Sequence, residues 1–486
     1  MRYQINDSIE TIKTIPVNSV VFDKAYYTRA ESQRPAKVQE YATSIVGGSF
    51  PPILVNQDNI LLDGWHRWKA HQQCKLETID VVVLDTRDMD IYTIRRKAAH
   101  SNSRHGLPHT ESEVKKLIRD EYRAKMEKLD QKGRVELKKE MAKDFSRSIS
   151  YIKEVTSRID KDLKAELRDN AYGMWMACYS QQEIAAEVGY AVGPVNEFLK
   201  SLQSFGNATG GENELSSENP TLTESATEDR EFDDDGDQDT NSLGIYKLDK
   251  RLLFKANHMD DAFKPPIYNI WKQQERSNQV SHFGNSDVAW LDNLLYLYTR
   301  PFDVVIDPFA GGGSTIDLCK SRLRRYLVSD RAPIDIRSDI RKHDVKDGVL
   351  SPPTWKDVRL VYLDPPYWKQ AEGQYSTDAE DLGNMSLEDF NSALSGLIRQ
   401  YAEKLKRART VRSYIALIIQ PTQWKAPEKQ FTDHVGDMLR AVKLPVHMRF
   451  SAPYESQQCN AQMVEWAKQN KQCLVLTREI IVWEVA

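Results

Sequence analysis

Cysteine is scarce in this sequence, and long apolar runs are missing from it. The five cysteines are scattered, with no close pair of the kind that zinc sites use: Cys74, Cys178, Cys319, Cys459 and Cys473. We therefore expect reduced thiols in a cytoplasmic protein and no metal centre. No stretch approaches the roughly 20 apolar residues that cross a membrane, and the opening MRYQINDSIETIK lacks the apolar core of a secretion signal. A membrane is not an expected partner.

Basic residues almost vanish from residues 203–243, which carry twelve Asp or Glu and a single Arg230. The whole chain has a formal charge of −4 and this segment −11, which leaves +7 for the remainder, a balance compatible with nucleic-acid binding. Large apolar side chains are also rare there, so we predict an acidic disordered linker that tethers two functional halves. A mimic that competes with DNA for basic surfaces is the alternative interpretation.

The pattern on either side of this segment indicates several domains, because 486 residues exceed one ordinary hydrophobic core. Residues 1–106 mix short strands and helices, which predicts an α+β domain. Residues 107–202 are almost wholly helical. After the linker, residues 244–486 alternate strands with helices, which is typical of a doubly wound α/β sheet.

A glycine-rich turn is the first chemical motif of the last region. The apolar run Phe302–Ala310 contains Asp307 and leads into Gly311-Gly312-Gly313 and a helical segment. Strand, glycine turn and helix let the backbone approach a cofactor closely. The next strand ends in Asp330, where such folds hold a pair of ribose hydroxyls. The alternatives are a turn that merely needs flexible glycines, and a surface acid.

The second motif, Asp364-Pro365-Pro366-Tyr367, follows the apolar strand VRLVYL. An exocyclic base amine is a poor nucleophile, and an acceptor carboxylate beside a backbone carbonyl can hold its hydrogens and aim its lone pair. Tyr367 can stack on an extruded base, and the prolines stiffen the loop. A Pro-Pro turn with a packing tyrosine is the alternative.

Together, DPFAGGGST and DPPYW resemble the DNA amino-methyltransferases over about residues 266–486. The resemblance implies a Rossmann-like fold, S-adenosylmethionine as cofactor, and methyl transfer to a flipped base. It makes Asp364, Pro365, Pro366 and Tyr367 the catalytic group. It also implies a cofactor set, in which Asp339 is a rival of Asp344 as the adenine-ring contact: Asp307, Phe309, Gly311, Gly313, Asp330, Asp344 and, from a further motif at 281–284, Phe283.

The target base is only partly indicated. Aspartate rather than serine at the start of the catalytic motif favours adenine N6 over cytosine N4, and cytosine stays open. The cofactor motif precedes the catalytic one, whereas many members with this kind of glycine turn run the other way. No nuclease motif is apparent, so a restriction-modification role with a separate nuclease is left open.

A further glycine turn lies in residues 1–106, in the string LLDGWHRWKA. A helix that begins with His66 and Arg67 after Gly64 places two cationic donors beside helix N–H groups, which suits phosphate. The region resembles the ParB-like N-terminal domain of partition proteins and its sulfiredoxin-like relatives. That implies a nucleoside triphosphate, CTP or ATP, surrounded by Arg29, Gly64, His66, Arg67, Asn102 and Arg104. The alternative is a retained scaffold whose His66 and Arg67 form ion pairs.

Two helical segments share the spacing of a helix-turn-helix. Ala142, Ser146 and Ile152 recur as Ala185, Gly189 and Val195. In the first unit the expected DNA-facing residues are Ser146, Arg147, Ser148, Ser150 and Lys153. Ordinary helical hairpins in a bundle are the alternative, for the second unit above all.

These features predict an enzyme that binds double-stranded DNA and methylates an exocyclic base amine, with a homodimer left open. A partition or regulatory DNA-binding protein with a non-catalytic methyltransferase fold is one alternative. A methyltransferase acting on RNA or on protein amines is another.

Overall fold

The structure is a computed structural model that describes residues 2–5, 8–28, 34–45, 50–105, 109–208, 263–264, 266–272, 286–369, 377–408, 412–423, 431–454 and 461–485. Contacts divide the chain into two compact units, residues 1–167 and 168–486. The predicted linker lies outside the described residues from 209 onward, as do Arg29 and Phe283.

The first unit consists of a small sheet followed by helices. Its elements are β1 (Arg2–Ile5), β2 (Ser8–Thr11), β3 (Lys13–Pro16), α1 (Pro35–Ile45), β4 (Ile53–Asn56), β5 (Leu61–Asp63), α2 (Trp65–Gln73), β6 (Thr78–Leu84), α3 (Ile91–His105), α4 (Glu111–Met126), α5 (Gln131–Asp144) and α6 (Ile149–Met176), whose last turns belong to the second unit. The sheet has the order β3-β6-β4-β5, and only its β4–β6 pair is parallel.

A buried arginine joins α3 to the helices that follow it in the first unit. Arg96 is 4% exposed and forms ion pairs with Glu121 (3.0 Å), Glu140 (3.1 Å) and Asp144 (2.5 Å). Removing one partner of such a buried pair is strongly destabilising, because a charge is then left without compensation in the interior. Arg96 therefore ties the helical region to α3.

The second unit is built on one large sheet. Its elements are α7 (Gln181–Val188), α8 (Val192–Ala208), α9 (Val288–Tyr298), β7 (Val304–Asp307), α10 (Ser314–Ser321), β8 (Arg325–Asp330), β9 (Arg341–Lys342), β10 (Val358–Leu363), α11 (Leu387–Ala408), β11 (Ser413–Ile419), β12 (Thr422–Gln423), β13 (Phe431–Thr432), α12 (His434–Val442), β14 (Val446–Pro453), α13 (Ala461–Gln469) and β15 (Thr477–Val485).

Seven of these strands form a sheet in the order β14-β15-β11-β10-β7-β8-β9. The strands from β11 to β9 are parallel to one another, and β15 is antiparallel to both of its neighbours, β11 and β14. β7 and β10 are neighbours, so their carboxyl ends meet at one edge, where parallel α/β sheets place ligands. The predicted fold class is confirmed: an α+β region with helices after it, then a Rossmann-like α/β sheet.

The end of α6 packs against this sheet. Trp175 is 4% exposed and its ring lies 5.8 Å from that of Phe302, while Cys178 belongs to the same apolar cluster as Val304 and Leu327. The guanidinium of Arg325 lies 4.3 Å from the centroid of Trp175 and donates to its carbonyl. Residues 168–208 are thus grouped with the sheet, and the domain limits expected from the sequence stay a prediction.

Candidate active site

Two acids shape the turn between β7 and α10. Gly311 and Gly313 have φ angles of 51° and 84°, which side chains disfavour. Asp307, 1% exposed, accepts from the N–H of Phe309 (2.8 Å) and from the hydroxyl of Thr315 (2.6 Å). Its burial is the main reason why its pKa rises to about 7. The glycine turn forms where the sequence places it, and Asp307 holds the turn together.

Asp330 closes the same turn from β8. Its Oδ2 accepts from the N–H of Gly311 and its Oδ1 from the N–H of Ala332, both at 2.9 Å. Each carboxylate oxygen has a further lone pair, so the expected ribose contact is compatible with this geometry. The role of Asp330 in binding stays a prediction.

The rival acids for the adenine-ring contact have different surroundings. Asp344 follows His343, whose N–H donates to the carbonyl of Asp330, and it forms an ion pair with Arg331 (3.2 Å). Asp339 is paired instead with Arg337 (2.9 Å) and with Lys320. Asp344 therefore lies beside the predicted ribose acid, which favours it.

The catalytic motif follows β10 directly. Asp364 is partly buried, and the hydroxyl of Tyr367 donates to its Oδ1 at 2.9 Å. Pro365 is buried and Tyr367 is 9% exposed. Burial raises the pKa of the Asp364 carboxyl, while the positive charge of Arg478 lowers it. Because β10 is next to β7, the motif lies beside the glycine turn.

Arg478 and Ser286 were missed by sequence reasoning. Arg478 begins the terminal strand β15 and is 5% exposed, and its Nη1 donates to the Oγ of Ser286 at 2.7 Å. Its guanidinium lies 5.0 Å from the ring centroid of Tyr367 and 5.4 Å from that of Tyr454. A single arginine at the start of an apolar strand is usually a surface residue, so the sequence carried no signal for it.

In the first unit, the predicted nucleotide residues are partly engaged within the protein. Gly64 adopts φ 97° as the residue that precedes α2. Arg67 is 6% exposed and donates to the carbonyls of Pro51 (3.1 Å) and Pro52 (2.8 Å) and to Asp63 (3.1 Å).

The other predicted nucleotide residues are His66, Asn102, Arg104 and Arg29. His66 is buried and accepts at Nε2 from the N–H of Arg34 (3.1 Å). Asn102 and Arg104 lie in α3, with side chains outside the described part, and Arg29 lies outside it altogether. The structure therefore brings Gly64, His66 and Arg67 together and leaves the nucleotide set a prediction.

The first helix-turn-helix candidate exposes its predicted DNA-facing residues. Ser146 has φ 51° in the turn after α5, and Ser148 accepts from the N–H of Tyr151 at the start of α6. Arg147 forms an ion pair with Glu111 at 3.3 Å, and Lys153 is exposed. These positions suit DNA contact, and the contact itself stays a prediction.

The second candidate has the expected backbone and a different surface. Gly189 turns the chain at φ 67°, and Val195 is fully buried in α8. Pro194 lies in the first turn of α8, where no N–H is required. Glu187 and Glu197 are exposed on this helix-turn-helix candidate, and their negative charges do not favour contact with DNA phosphates.

Within the described residues, no three His, Cys, Asp or Glu side chains are grouped to hold a metal ion. None of the described helices is long and apolar enough to cross a bilayer.

Two family models match the chain. The ParB N-terminal domain matches residues 2–102, and the DNA methylase model matches residues 112–333. The latter match includes the glycine turn and Asp330 but ends before Asp364. The two matches correspond to the two families that its motifs resemble. None of the curated proteins compared with the chain matches it.

Three solved structures illustrate the similarity. Sulfiredoxin from Arabidopsis thaliana is 29% identical, with 15% of this chain and 85% of that chain covered and a TM-score of 0.14. ParB from Caulobacter crescentus, complexed to the centromeric parS site, is 16% identical, with coverages of 39% and 91% and a TM-score of 0.21. A SAM dependent methyltransferase from Archaeoglobus fulgidus is 13% identical, with coverages of 40% and 94% and a TM-score of 0.25.

Proposed function

We propose that the chain methylates adenine N6 in double-stranded DNA, which is supported by its matches to the ParB N-terminal domain and to the DNA methylase model of the N6/N4 family. One observation carries the proposal. The motif Asp364–Tyr367 and the glycine turn after Asp307 lie at the carboxyl ends of adjacent parallel strands. A methyl acceptor and a methyl donor bound at these two turns would be neighbours.

The residues at the glycine turn fit S-adenosylmethionine. A Cβ at Gly313 would come within 3.2 Å of the Arg337 guanidinium, so a larger residue would have to displace that side chain beside the turn. Asp330 and Asp344 offer acceptor oxygens next to it for ribose hydroxyls and for the adenine amine. When bound, the cofactor supplies an electrophilic methyl group on a sulfonium centre.

Residues of the chain orient the amine by accepting hydrogen bonds from it. The carboxylate of Asp364 and the carbonyl of Pro365 are the two acceptors, which hold both amine hydrogens and leave the nitrogen lone pair free to attack. Tyr367 provides an aromatic face for a base taken out of the duplex. The ionised form of Asp364 is required, since a protonated carboxyl would donate where it has to accept.

The experiment compares Asp364→Asn with Asp335→Asn, an exposed aspartate of the same unit. Asp364→Asn should lower methyl transfer from labelled cofactor to duplex DNA by at least about 10²-fold, with cofactor binding by calorimetry unchanged. Asp335→Asn should behave as wild type. Sequencing that detects modified bases, applied to DNA from expressing cells, would report base and recognition site together.

The outcomes separate the alternatives. N4-methylcytosine in that DNA would replace adenine as the target. Labelled tRNA or protein without labelled DNA would end the duplex-DNA proposal, and cofactor binding without any transfer would favour a regulatory protein. Binding of the duplex is assigned to the first helix-turn-helix, with Arg147 and Lys153 as phosphate contacts.

Binding of CTP or ATP by the first unit is the second candidate function. The amino end of α2 favours it, because Gly64 provides no side-chain cap and leaves helix N–H groups available for a phosphate. Arg67, by contrast, already serves three protein acceptors. We assign the phosphate to the backbone N–H groups at this end of α2, with Arg67 as the support of the turn.

A further inference from the structure

Arg478 is the one buried cation described next to the catalytic carboxylate. It lies on β15, which is inserted antiparallel beside β11, far from Asp364 in sequence. The register pairs Ile418 with Ile480 and Ile419 with Glu479. This brings the start of β15 to the edge of the sheet at which β10 ends.

A chain of hydrogen bonds leads from this cation to the carboxylate. Nη1 of Arg478 donates to the Oγ of Ser286 at 2.7 Å, so the hydroxyl hydrogen of Ser286 can point elsewhere. The Oγ of Ser286 lies 3.5 Å from the hydroxyl oxygen of Tyr367, and that hydroxyl donates to Asp364 Oδ1 at 2.9 Å. Because the hydroxyl of Tyr367 already donates to Asp364, Ser286 is the group left to donate in the contact between the two hydroxyls, and a chain that runs from cation to anion in this way strengthens cooperatively.

Aromatic rings hold the guanidinium in place. Its carbon lies 5.0 Å from the ring centroid of Tyr367, 5.4 Å from that of Tyr454 and 5.6 Å from that of Trp290. A cation over the face of an aromatic ring is attracted by the negative charge density of that face, most strongly where water is excluded. The Tyr367 ring is therefore fixed by Arg478 through its face and by Ser286 and Asp364 through its hydroxyl.

We propose that Arg478 is a positioning residue for the methyl-accepting site: it fixes the Tyr367 ring and, through Ser286 and Tyr367, the carboxylate of Asp364. This rests on the proposed methyl transfer. The Nε atom of Arg478 has no partner among the described residues, as expected of a group that belongs to a site rather than to a closed structural network.

Burial raises the pKa of the Asp364 carboxyl most, and the titratable or charged groups that face the carboxyl act on its pKa as well. They are Arg478 from β15, Tyr367 in its own turn, Tyr362 from β10 and Asp307 from β7. Arg478 alone among these is positive, and the neighbouring carboxyl of Asp307 acts in the opposite sense. Loss of the positive charge should therefore raise the pKa of Asp364 and require a higher pH for activity.

The test measures kcat/KM for DNA against pH in wild type, Arg478→Met, Arg478→Lys and Arg412→Met, an exposed arginine at the other end of β11. Arg478→Met should shift the acidic limb upward by about one pH unit or more and lower kcat/KM at neutral pH at least tenfold. Arg478→Lys should leave the acidic limb at its wild-type pH, because the positive charge remains. It should lose activity only because the Tyr367 ring is no longer held in place. Arg412→Met should match wild type.

Three outcomes would overturn the assignment. The first is a folded, less active Arg478→Met with an unmoved acidic limb, and the second is an equal shift in Arg478→Lys. The third is a rise in KM for DNA alone, which would make Arg478 a DNA contact. Inactive wild type, or an active Asp364→Asn, would instead refute the proposed function, so the two failures are distinguishable.

Discussion

The two units contain the same backbone feature, held in place by different side chains. Gly64 before α2 and Gly313 before α10 both follow a strand, adopt φ angles of 97° and 84°, and provide no side-chain cap. The nearest charged side chain is an arginine in both places, Arg67 at Gly64 and Arg337 at Gly313. The local backbone is thus common to both turns, and the difference lies in the groups that hold them: the guanidinium of Arg67 at the first, and the carboxylates of Asp307 and Asp330 at the second.

The space around the two glycines also differs. A Cβ on Gly64 would lie 2.6 Å from Cγ2 of Ile53, a residue that is 1% exposed. A Cβ on Gly313 would meet the ends of two side chains, Arg337 and Ile340, each at 3.2 Å. The side chain of Ile53 fills the space beside Gly64. The side chains beside Gly313 can move aside, because only their ends lie close to it.

Alanine substitution at Gly64 and at Gly313 should destabilise the two units to different extents. We expect Gly64→Ala to destabilise the first unit by about 3 kcal/mol or more, because left-handed strain and overpacking against Ile53 combine. Gly313→Ala should cost the second unit about 1–2 kcal/mol, mostly from strain, and weaken cofactor binding. Hydrogen exchange measured by mass spectrometry reports the loss in each unit separately.

Gly189→Ala is the matched control, since its φ is 67° and a Cβ there would meet nothing within 4 Å. It should lose about 1 kcal/mol from strain alone. Equal losses at Gly64 and Gly189 would show that the contact with Ile53 is relieved without cost.

The comparison shows what the sequence could reveal. An apolar run, an acid and glycines form a local pattern, and both turns and the strand before Asp364 were predicted from it. The second helix-turn-helix candidate was predicted from a local pattern in the same way, from a small residue at 185, a turn at Gly189 and a buried Val195. Neighbouring positions in the chain determine such features, so they are visible before any tertiary contact is known.

Long-range partners were not visible. Ser286 and Arg478 are 192 residues apart and meet only because β15 inserts beside β11. The apolar pattern around Trp175 and Cys178 likewise predicts that both are buried. It does not indicate that the sheet is the surface that covers them. Periodicity identifies which side faces a core, and topology decides which core it is.

Arg67 tests whether the first turn is a scaffold. Lysine cannot serve the carbonyls of Pro51 and Pro52 and the carboxylate of Asp63 together, so Arg67→Lys should destabilise the first unit by about 2–4 kcal/mol. Affinity for CTP and ATP, measured by calorimetry at a temperature where the variant is folded, should change little. A large loss of affinity in the folded variant would make Arg67 a phosphate ligand and remove the contrast between the two turns.

The remaining expected effect concerns pH, and it should appear only at the turn that Asp307 holds. Asp307 in the folded protein keeps its proton up to a pKa of about 7, mainly because it is buried, whereas in the unfolded chain it ionises near pH 4. Between these values the folded state binds more protons, so this group makes stability fall as pH rises from about 4 to 7. Asparagine retains the acceptor for the N–H of Phe309 and cannot ionise.

The difference in unfolding free energy between Asp307→Asn and wild type should therefore grow in favour of asparagine from pH 4 to 7 and level off above. Urea titrations at each pH measure it, with Asp335→Asn as the exposed control, for which the difference should stay flat. The turn at Gly64 depends on an arginine, which keeps its charge across this range, so Arg67→Lys should show a constant difference. A parallel pH trend in both variants would mean that the two turns do not differ in their response to pH.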